Sequence, residues 1–206
     1  AYTDGIFSIA LTLLVIDIRL PESNKINLLH SVVDSWPSML SFAISFLIIT
    51  VVWFNHHEMF HNIKLVDYKI IILNTLLMLN IILIPYVSSI LGRAFIFNGS
   101  DSTAACMLYG IWISLGGLPF NLLWSHAVKN DDLLVDGFDA SRVKAMQKHY
   151  RRGPFLYFIA AMLSLLNIWI SILAYLLLII MFFIPSSLMS RNTKQDAIIK
   201  QNQIPA

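Results

Sequence analysis

One short group of residues has types and spacing that are typical of metal chemistry. His57, Glu58 and His61 form the pattern H-E-x-x-H. On a helix this spacing puts both imidazoles on one face, where they can bind zinc while the carboxylate acts as a general base. A third ligand would be needed, and Asp136 is the candidate. Because five residues match such a pattern by accident often enough, the pattern alone is weak support for a zinc hydrolase.

A second unusual group lies in the first apolar stretch, residues 2–20. This stretch is long enough to cross a bilayer, yet it carries several polar side chains, among them Asp4, Ser8, Thr12 and Asp17. On a helix that turns about 100° per residue, one stripe contains Ile9, Thr12, Leu13 and Ile16. Asp4 points about 140° away from Ile9 by the same geometry. The helix is therefore predicted to have two faces that contact different neighbours. Periodicity alone favours packing against other helices as the role of the stripe.

Composition identifies the class of protein. The chain has 206 residues, of which 57% are hydrophobic and 13% charged, against roughly 25% charged in soluble domains. With a mean hydropathy of +0.71 it is predicted to be an integral membrane protein. The formal net charge of +2 is too small to indicate nucleic-acid binding, and the single cysteine, Cys106, excludes an internal disulfide.

Hydropathy predicts six spans. Four apolar runs of spanning length fall at residues 2–20, 36–59, 69–92 and 103–127. The last run, 154–188, is too long for one crossing and is predicted to divide into two antiparallel helices near Leu166-Asn167-Ile168-Trp169. The chain is thus expected to be all-α, with one transmembrane domain at residues 1–190 and a polar tail at 191–206.

The basic residues predict the orientation in the membrane. Six crossings place both termini on one side, and eleven of the fourteen Lys and Arg residues lie on that side. They are Lys64, Lys69, Lys129, Arg142, Lys144, Lys148, Arg151, Arg152, Arg191, Lys194 and Lys200. Only Arg19, Lys25 and Arg93 lie on the other side. The positive-inside rule then predicts cytoplasmic N- and C-termini.

Polar and aromatic residues near the spans give three structural expectations. The charged run from Lys129 to Arg152 is interpreted as a solvated connector. Three polar residues in or near spans are expected to hydrogen-bond between helices, namely Asn80, Asn121 and His126. Three aromatic residues near span ends are expected at the membrane interface, namely Trp36, Trp124 and Tyr150.

Several residues resemble the first three helices of one membrane-protein family. Tyr2-Thr3-Asp4, followed by the stretch from Gly5 to Leu14, resembles the F-S-D motif that opens the first helix of endolysosomal-type potassium channels in their bacterial form. The resemblance continues through Trp53-Phe54-Asn55-His56-His57, Phe60, Asp67, Asn74 and Pro85. The family's arginine, four residues ahead of the aromatic residue, would lie before Ala1, so we expect an N-terminus trimmed relative to that family.

This resemblance implies a fold and a pore. The expected assembly is a homotetramer of six-helix subunits in the plasma membrane, with no cofactor and with potassium as the permeant ion. The first helices of that family line a central pore, and distance from Asp4 places its apolar constriction at Ile9, Leu13 and Ile16. Thr12, with Ser8, would form the hydroxyl layer that favours potassium. The chain lacks the TVGYG signature, so a filter of backbone carbonyls is not expected.

The resemblance also implies a structural hydrogen-bond network at the cytoplasmic end of the second span. An ionisable residue at the edge of a span needs a partner, and Asp4 is turned away from the pore stripe. The expected members are Asp4, Trp53, His56, His57 and Asn74. Which of the two histidines pairs with Asp4 is left open by the sequence.

Two other classes of function remain as alternatives. An intramembrane zinc metalloprotease would use His57, Glu58 and His61, whereas the favoured interpretation is a channel and not an enzyme. A secondary transporter would need an ionisable residue near the middle of the membrane, but Asp4 and Asp17 both lie near the ends of the first span.

Overall fold

The structure, a computed structural model, describes residues 2–18, 28–96, 100–135 and 140–184. This part of the chain is helical, and its only strand-like pairing is an isolated antiparallel bridge between Ile63 and Leu134. The α-helices are α1 (Tyr2–Leu14), α2 (Leu28–Asp34), α3 (Trp36–His61), α4 (Tyr68–Ile82), α5 (Ile84–Ala94), α6 (Ser100–Lys129), α7 (Ala140–Met162) and α8 (Ile168–Phe183). The all-α prediction is confirmed, while the predicted tail at 191–206 lies outside the described residues.

Three described helical segments are long and apolar enough to cross a membrane. They are α3 with 26 residues, the continuous pair α4 and α5 with 27, and α6 with 30. Shorter apolar helices are α1 and α8. α1 ends at Leu14 and continues as a 3₁₀ turn at Val15–Asp17, so the first helix is shorter than the predicted 2–20.

The long C-terminal apolar run divides where the sequence predicted. α7 ends at Met162, a 3₁₀ turn covers Leu163–Leu165, and α8 begins at Ile168. Asn167 caps α8, because its side-chain oxygen accepts a hydrogen bond from the Trp169 backbone N–H at 2.8 Å. Asparagine is a favoured residue at this position since it satisfies an N–H that the helix itself leaves free.

The prediction of a solvated connector at Lys129–Arg152 is wrong from Ala140 onward. Residues 140–152 form the first half of α7, and the predicted span beginning at Pro154 is only its second half. The reason is that one face of this segment is buried, since Met146 and Tyr150 pack inside the bundle. The many charged residues around them make this apolar face hard to recognise in the sequence. Burial of one apolar face stabilises a helix even when its other face is strongly charged.

The predicted interhelical hydrogen bonds of the polar residues are confirmed. The Asn80 amide donates to the Trp112 carbonyl at 3.0 Å, joining α4 to α6. The Asn121 amide donates to the Tyr150 carbonyl at 2.8 Å, joining α6 to α7. His126 lies 2.6 Å from the carboxylate of Asp67.

The prediction of an interfacial aromatic belt is wrong for two of its three members. Trp124 is 1% exposed, and its ring meets the buried ring of Tyr150 edge-on with centroids 6.0 Å apart. These rings fill the space between α6 and α7, where their area is removed from lipid and from water alike. Trp36 does remain exposed, and it stacks on Trp169 at 6.2 Å.

Candidate functional site

The candidate site is the outward face of α1, which the rest of the subunit leaves uncovered. The opposite face of the helix is buried, with Phe7, Ala10 and Leu14 packed mainly against α3, α4 and α5. The outward face holds the five residues predicted to line a pore, all of them exposed in the single chain: Ser8, Ile9, Thr12, Leu13 and Ile16. This division follows the helical period, because residues three or four apart share a face.

The outward face is aliphatic but carries hydroxyl groups. Ile9 is 51% exposed and Ile16 is 62% exposed. The Thr12 hydroxyl donates to the Ile9 carbonyl at 2.9 Å, within its own helix. Its proton is thereby occupied, while the lone pairs of the oxygen remain available as acceptors. Such a face can repel a continuous water column and still offer weak oxygen ligands to a cation.

Asp4 fixes the first turn of α1 to α3. The Trp53 indole N–H donates to Oδ1 of Asp4 at 3.1 Å. A carboxylate in the first turn of a helix is also favoured by the positive end of the helix dipole. The ring of His57 lies 5.7 Å from that of Trp53, so three of the five residues predicted for the network lie together.

His56 and Asn74 form the second part of the predicted network. Nε2 of His56 and Oδ1 of Asn74 are 2.9 Å apart, which ties α3 to α4. The buried His56 ring lies between two phenyl rings, with centroids 5.5 Å from Phe7 and 4.5 Å from Phe60. Phe7 was not singled out in the sequence, although its position opposite Ile9 on the helical wheel was the available signal.

The zinc pattern does not assemble a metal site in the described part of the chain. No group of three His, Cys, Asp or Glu side chains there could hold a metal ion. His57 and His61 are both exposed. The Glu58 carboxylate lies 3.6 Å from the Arg142 guanidinium, a partner that would compete with the proposed role as a base. Asp136, the suggested third ligand, lies outside the described residues.

A further polar group joins the ends of α4 and α6. Asp67 caps α4 by accepting from the Ile70 backbone N–H at 2.8 Å. Its other carboxylate oxygen is 2.6 Å from Nε2 of His126, whose Nδ1 faces the Asn130 amide at 3.3 Å. The hydrogen bond from His126, followed by that from Ile70, lowers the pKa of the Asp67 carboxyl below its ordinary value.

A partly open cavity of about 80 Å³ lies elsewhere in the subunit. Among the described residues, its lining comes from α3 to α8, and α1 contributes none. Asn55, Asn121 and Tyr150 supply part of its polar wall. The uncovered face of α1 is therefore distinct from this cavity. A pore along that face would have to be enclosed by other copies of the chain.

Comparison with known proteins places these features in a family. The family described as "Endosomal/lysosomal potassium channel TMEM175" matches residues 1–85. A potassium channel of Chamaesiphon minutus is 35% identical over 190 residues, which are 91% of this chain and 93% of that protein. A potassium channel of Streptomyces collinus is 30% identical over 158 residues, 76% of each chain.

A solved structure agrees with this sequence similarity. The crystal structure of a lysosomal potassium-selective channel TMEM175 homolog from Chamaesiphon minutus superposes with a TM-score of 0.79 at 32% identity. The match covers 92% of this chain and 95% of that one. These relatives are ion channels and not enzymes. The chain therefore belongs to the TMEM175 family of multi-pass membrane channels.

Proposed function

We propose that this chain is the subunit of a homotetrameric, potassium-permeable leak channel whose pore is lined by the outward face of α1. The observation that carries the proposal is the exposure of a stripe that mixes large aliphatic side chains with hydroxyls, beginning with Ile9 and Thr12. The relatives described above are named potassium channels, which supports potassium as the permeant ion.

The aliphatic residues of the stripe would form the gate. Four copies of Ile9 around an axis make a narrow apolar ring, with Leu13 and Ile16 forming further rings along the helix. Such a neck holds no continuous column of water, and an ion cannot lose its hydration there without replacement oxygens. Conduction therefore requires the ring to widen.

The hydroxyl residues would set the preference among cations. The Thr12 hydroxyl already donates to the Ile9 carbonyl, so its oxygen would face a permeant ion as an acceptor. Ser8 would add a second hydroxyl one turn away. Hydroxyl oxygens bind a cation weakly enough for it to leave, so the selectivity for potassium should be modest.

The proposed assembly of four copies is supported by the need to enclose a pore and by the family relationship. One helix cannot enclose a pore, and closed rotational symmetry about an axis is the usual arrangement of identical subunits. The buried back of α1, held by Phe7 and by the Asp4–Trp53 hydrogen bond, would keep the pore face in register in each copy. The five residues Asp4, Trp53, His56, His57 and Asn74 are accordingly proposed as the positioning network.

The proposed location is the plasma membrane with both termini in the cytoplasm. Eleven of fourteen basic residues lie on that side under a six-span topology. Positive residues flanking spans are retained on the cytoplasmic side during insertion.

Ion flux from liposomes tests the conduction part of the proposal. Vesicles that contain the purified protein should release potassium faster when loaded with potassium than matched vesicles loaded with sodium release sodium, with and without a metal chelator. Flux that is absent, or that saturates and depends on a second solute, would contradict a channel.

Cysteine cross-linking tests the placement of α1 at a shared axis. In a Cys106→Ser background, Ile9→Cys should form disulfide-linked dimers of subunits on oxidation, because neighbouring copies bring these positions together. Ala10→Cys, on the buried face, is the matched control and should stay monomeric. Cross-linking of Ala10→Cys with none at Ile9→Cys would overturn the assignment of the pore face.

A further inference from the structure

The first half of α7 carries a stripe of basic residues that the proposed pore does not use. Lys144, Lys148 and Arg151 are spaced by four and three residues, so they lie on one face of the helix, with Arg152 beside them. All four side chains are exposed. In the part of the chain that the structure describes, none of the four forms a salt bridge or a side-chain hydrogen bond.

The rotation of α7 about its own axis is fixed by its opposite face. Met146 and Tyr150 are buried there against the bundle. Arg142 turns the same way and meets the Glu58 carboxylate at 3.6 Å. The basic stripe therefore cannot turn inward without unpacking these contacts, and it is presented outward as a fixed surface.

The same outward face changes from basic to apolar within one turn of the helix. Beyond Arg151 it continues with three exposed apolar residues, Phe155, Phe158 and Ile159. Four residues of α-helix span about 6 Å, so the change from Arg151 to Phe155 is abrupt. A change of this kind is expected where a helix passes from the headgroup layer into the hydrocarbon of a bilayer.

Neighbouring helices become polar at the same depth. The Tyr150 carbonyl accepts from the Asn121 amide of α6, and the Tyr150 hydroxyl donates to the Asn55 carbonyl of α3 at 3.4 Å. The basic end of α7 is thus level with Asn55 and Asn121. The histidines of α3 and the histidine and lysine at the end of α6 begin just beyond these positions. The apolar part of each of the three helices therefore gives way to a polar part at about the same level.

The location of α7 leaves this surface free to meet lipid. α7 packs on α6 and α8, whereas α1 packs mainly on α3, α4 and α5. The basic stripe accordingly lies away from the helix that is proposed to face other copies of the chain.

We propose that the α7 stripe, formed by Lys144, Lys148, Arg151 and Arg152, binds the headgroups of anionic phospholipids at the membrane surface. Clusters of four or more basic residues next to a span attract anionic lipids, and Arg can bind a phosphate through two parallel N–H donors. The apolar residues that follow on the same face would contact the acyl chains of the bound lipid. The site depends on the membrane position of α7 and not on ion conduction.

Energy transfer from tryptophan to a dansyl-labelled lipid measures this binding directly. Trp124 is a suitable donor because its ring lies 6.0 Å from that of Tyr150, which directly precedes Arg151 of the stripe. The full chain in neutral detergent should bind dansyl phosphatidylglycerol more tightly than dansyl phosphatidylcholine. The double variant Lys148→Gln/Arg151→Gln should weaken binding of phosphatidylglycerol by about fivefold for each charge removed.

Matched variants separate a local site from general attraction to positive charge. Lys69→Gln/Lys129→Gln removes two exposed basic residues that belong to α4 and α6, and should change the affinity by less than about twofold. Lys148→Arg/Arg151→Lys keeps both charges and should keep the preference for phosphatidylglycerol. Size-exclusion elution identical to wild type verifies folding in each case.

Three outcomes would overturn the proposal. Equal affinity of the wild type for the two lipids would exclude recognition of anionic headgroups. An equal loss in the two neutral double variants would show that overall charge, and not the α7 stripe, attracts the lipid. Complete displacement of phosphatidylglycerol by an equal concentration of inorganic phosphate would identify a site for free anions instead of a lipid surface.

Discussion

The outward faces of α1 and α8 are both exposed and both aliphatic, yet they differ in one respect. On α8 the exposed residues include Leu173, Leu177 and Ile180, the last at 63% exposure. On α1, Ile9 is comparably exposed, but its face also carries the hydroxyls of Ser8 and Thr12. Exposure of apolar side chains is expected wherever a helix faces lipid, so it does not by itself identify a pore. The hydroxyls of Ser8 and Thr12 are the difference on which the proposed pore role of α1 depends.

The buried backs of these two helices, by contrast, should behave alike. Phe7 on α1 and Phe182 on α8 are both buried, and each packs against a histidine, His56 and His149 respectively. Phe7→Ala and Phe182→Ala should each lower the free energy of unfolding by about 3–5 kcal/mol, since both leave a cavity in a packed core. Unfolding followed by helix circular dichroism in detergent measures the loss. A much smaller loss for Phe7→Ala would mean that α1 is only loosely attached to its subunit.

The same substitution on the two outward faces should separate them. Ile9→Ala should raise potassium flux about tenfold by widening an apolar ring, which corresponds to a barrier about 1.4 kcal/mol lower. Ile180→Ala, identical in chemistry but on the face of α8, should leave flux unchanged. Liposome flux assays on both variants decide the matter. Equal flux in the two variants would assign the α1 stripe to packing or to lipid.

The link that holds α1 in place can be weakened without touching its outward face. Trp53→Phe removes the hydrogen bond to Asp4 and should destabilise the docking of α1 by about 0.5–1 kcal/mol. Amide hydrogen exchange in α1 should then become a few times faster. Trp112→Phe, which removes a hydrogen bond from α6 to the Asn80 carbonyl, is the matched control. An unchanged exchange rate in Trp53→Phe would show that this bond does not position the helix.

The hydroxyl on the α1 face should affect selectivity more than flux. Thr12→Ala should reduce the preference for potassium over sodium about threefold, because an oxygen ligand is lost next to the apolar ring. Thr12→Ser keeps the hydroxyl and should keep the preference. Reversal potentials under bi-ionic conditions give the permeability ratios. A ratio maintained in Thr12→Ala would exclude this hydroxyl from the path of the ion.

The smallest effect is expected at the junction of α4 and α6, which supports the helices behind α1. The folded-state pKa of Asp67 lies below its ordinary value, so ionised Asp67 stabilises the fold at pH values above the unfolded pKa of about 4. This stabilisation should be lost as the pH falls through the lower, folded-state pKa. Melting temperatures of wild type and Asp67→Asn should therefore differ slightly at neutral pH and converge in acid. A difference that grows in acid would contradict the proposed pairing with His126.

Some features could be predicted because a local pattern determines them. The turn before α8 was predictable, since Asn167 interrupts an apolar run that is too long for one crossing and then caps the next helix. The opposite orientations of Asp4 and Ile9 also follow from helical geometry alone. The placement of Asp4 beside Trp53, 49 positions further along the chain, required the resemblance to known channels.

Other features could not be predicted because partners decide them. The charged run before Arg152 predicted a connector, but contacts of Met146 and Tyr150 with other helices make it part of α7. Trp124 matched the composition of an interfacial belt, yet packing between α6 and α7 buries it. In a membrane protein, aromatic residues at a span end can face lipid, water or another helix, and their sequence is the same in each case.

The sequence by itself determined that this chain is helical and embedded in a membrane, and it determined which residues of the first helix share a face. These properties depend on composition and on a fixed helical period, both of which are local. Only the tertiary structure decided that Phe7, Ala10 and Leu14 are covered while Ile9 and Thr12 are not. That choice depends on the shapes of α3, α4 and α5, because both faces of α1 carry large apolar side chains and hydrophobicity alone does not select one of them for burial.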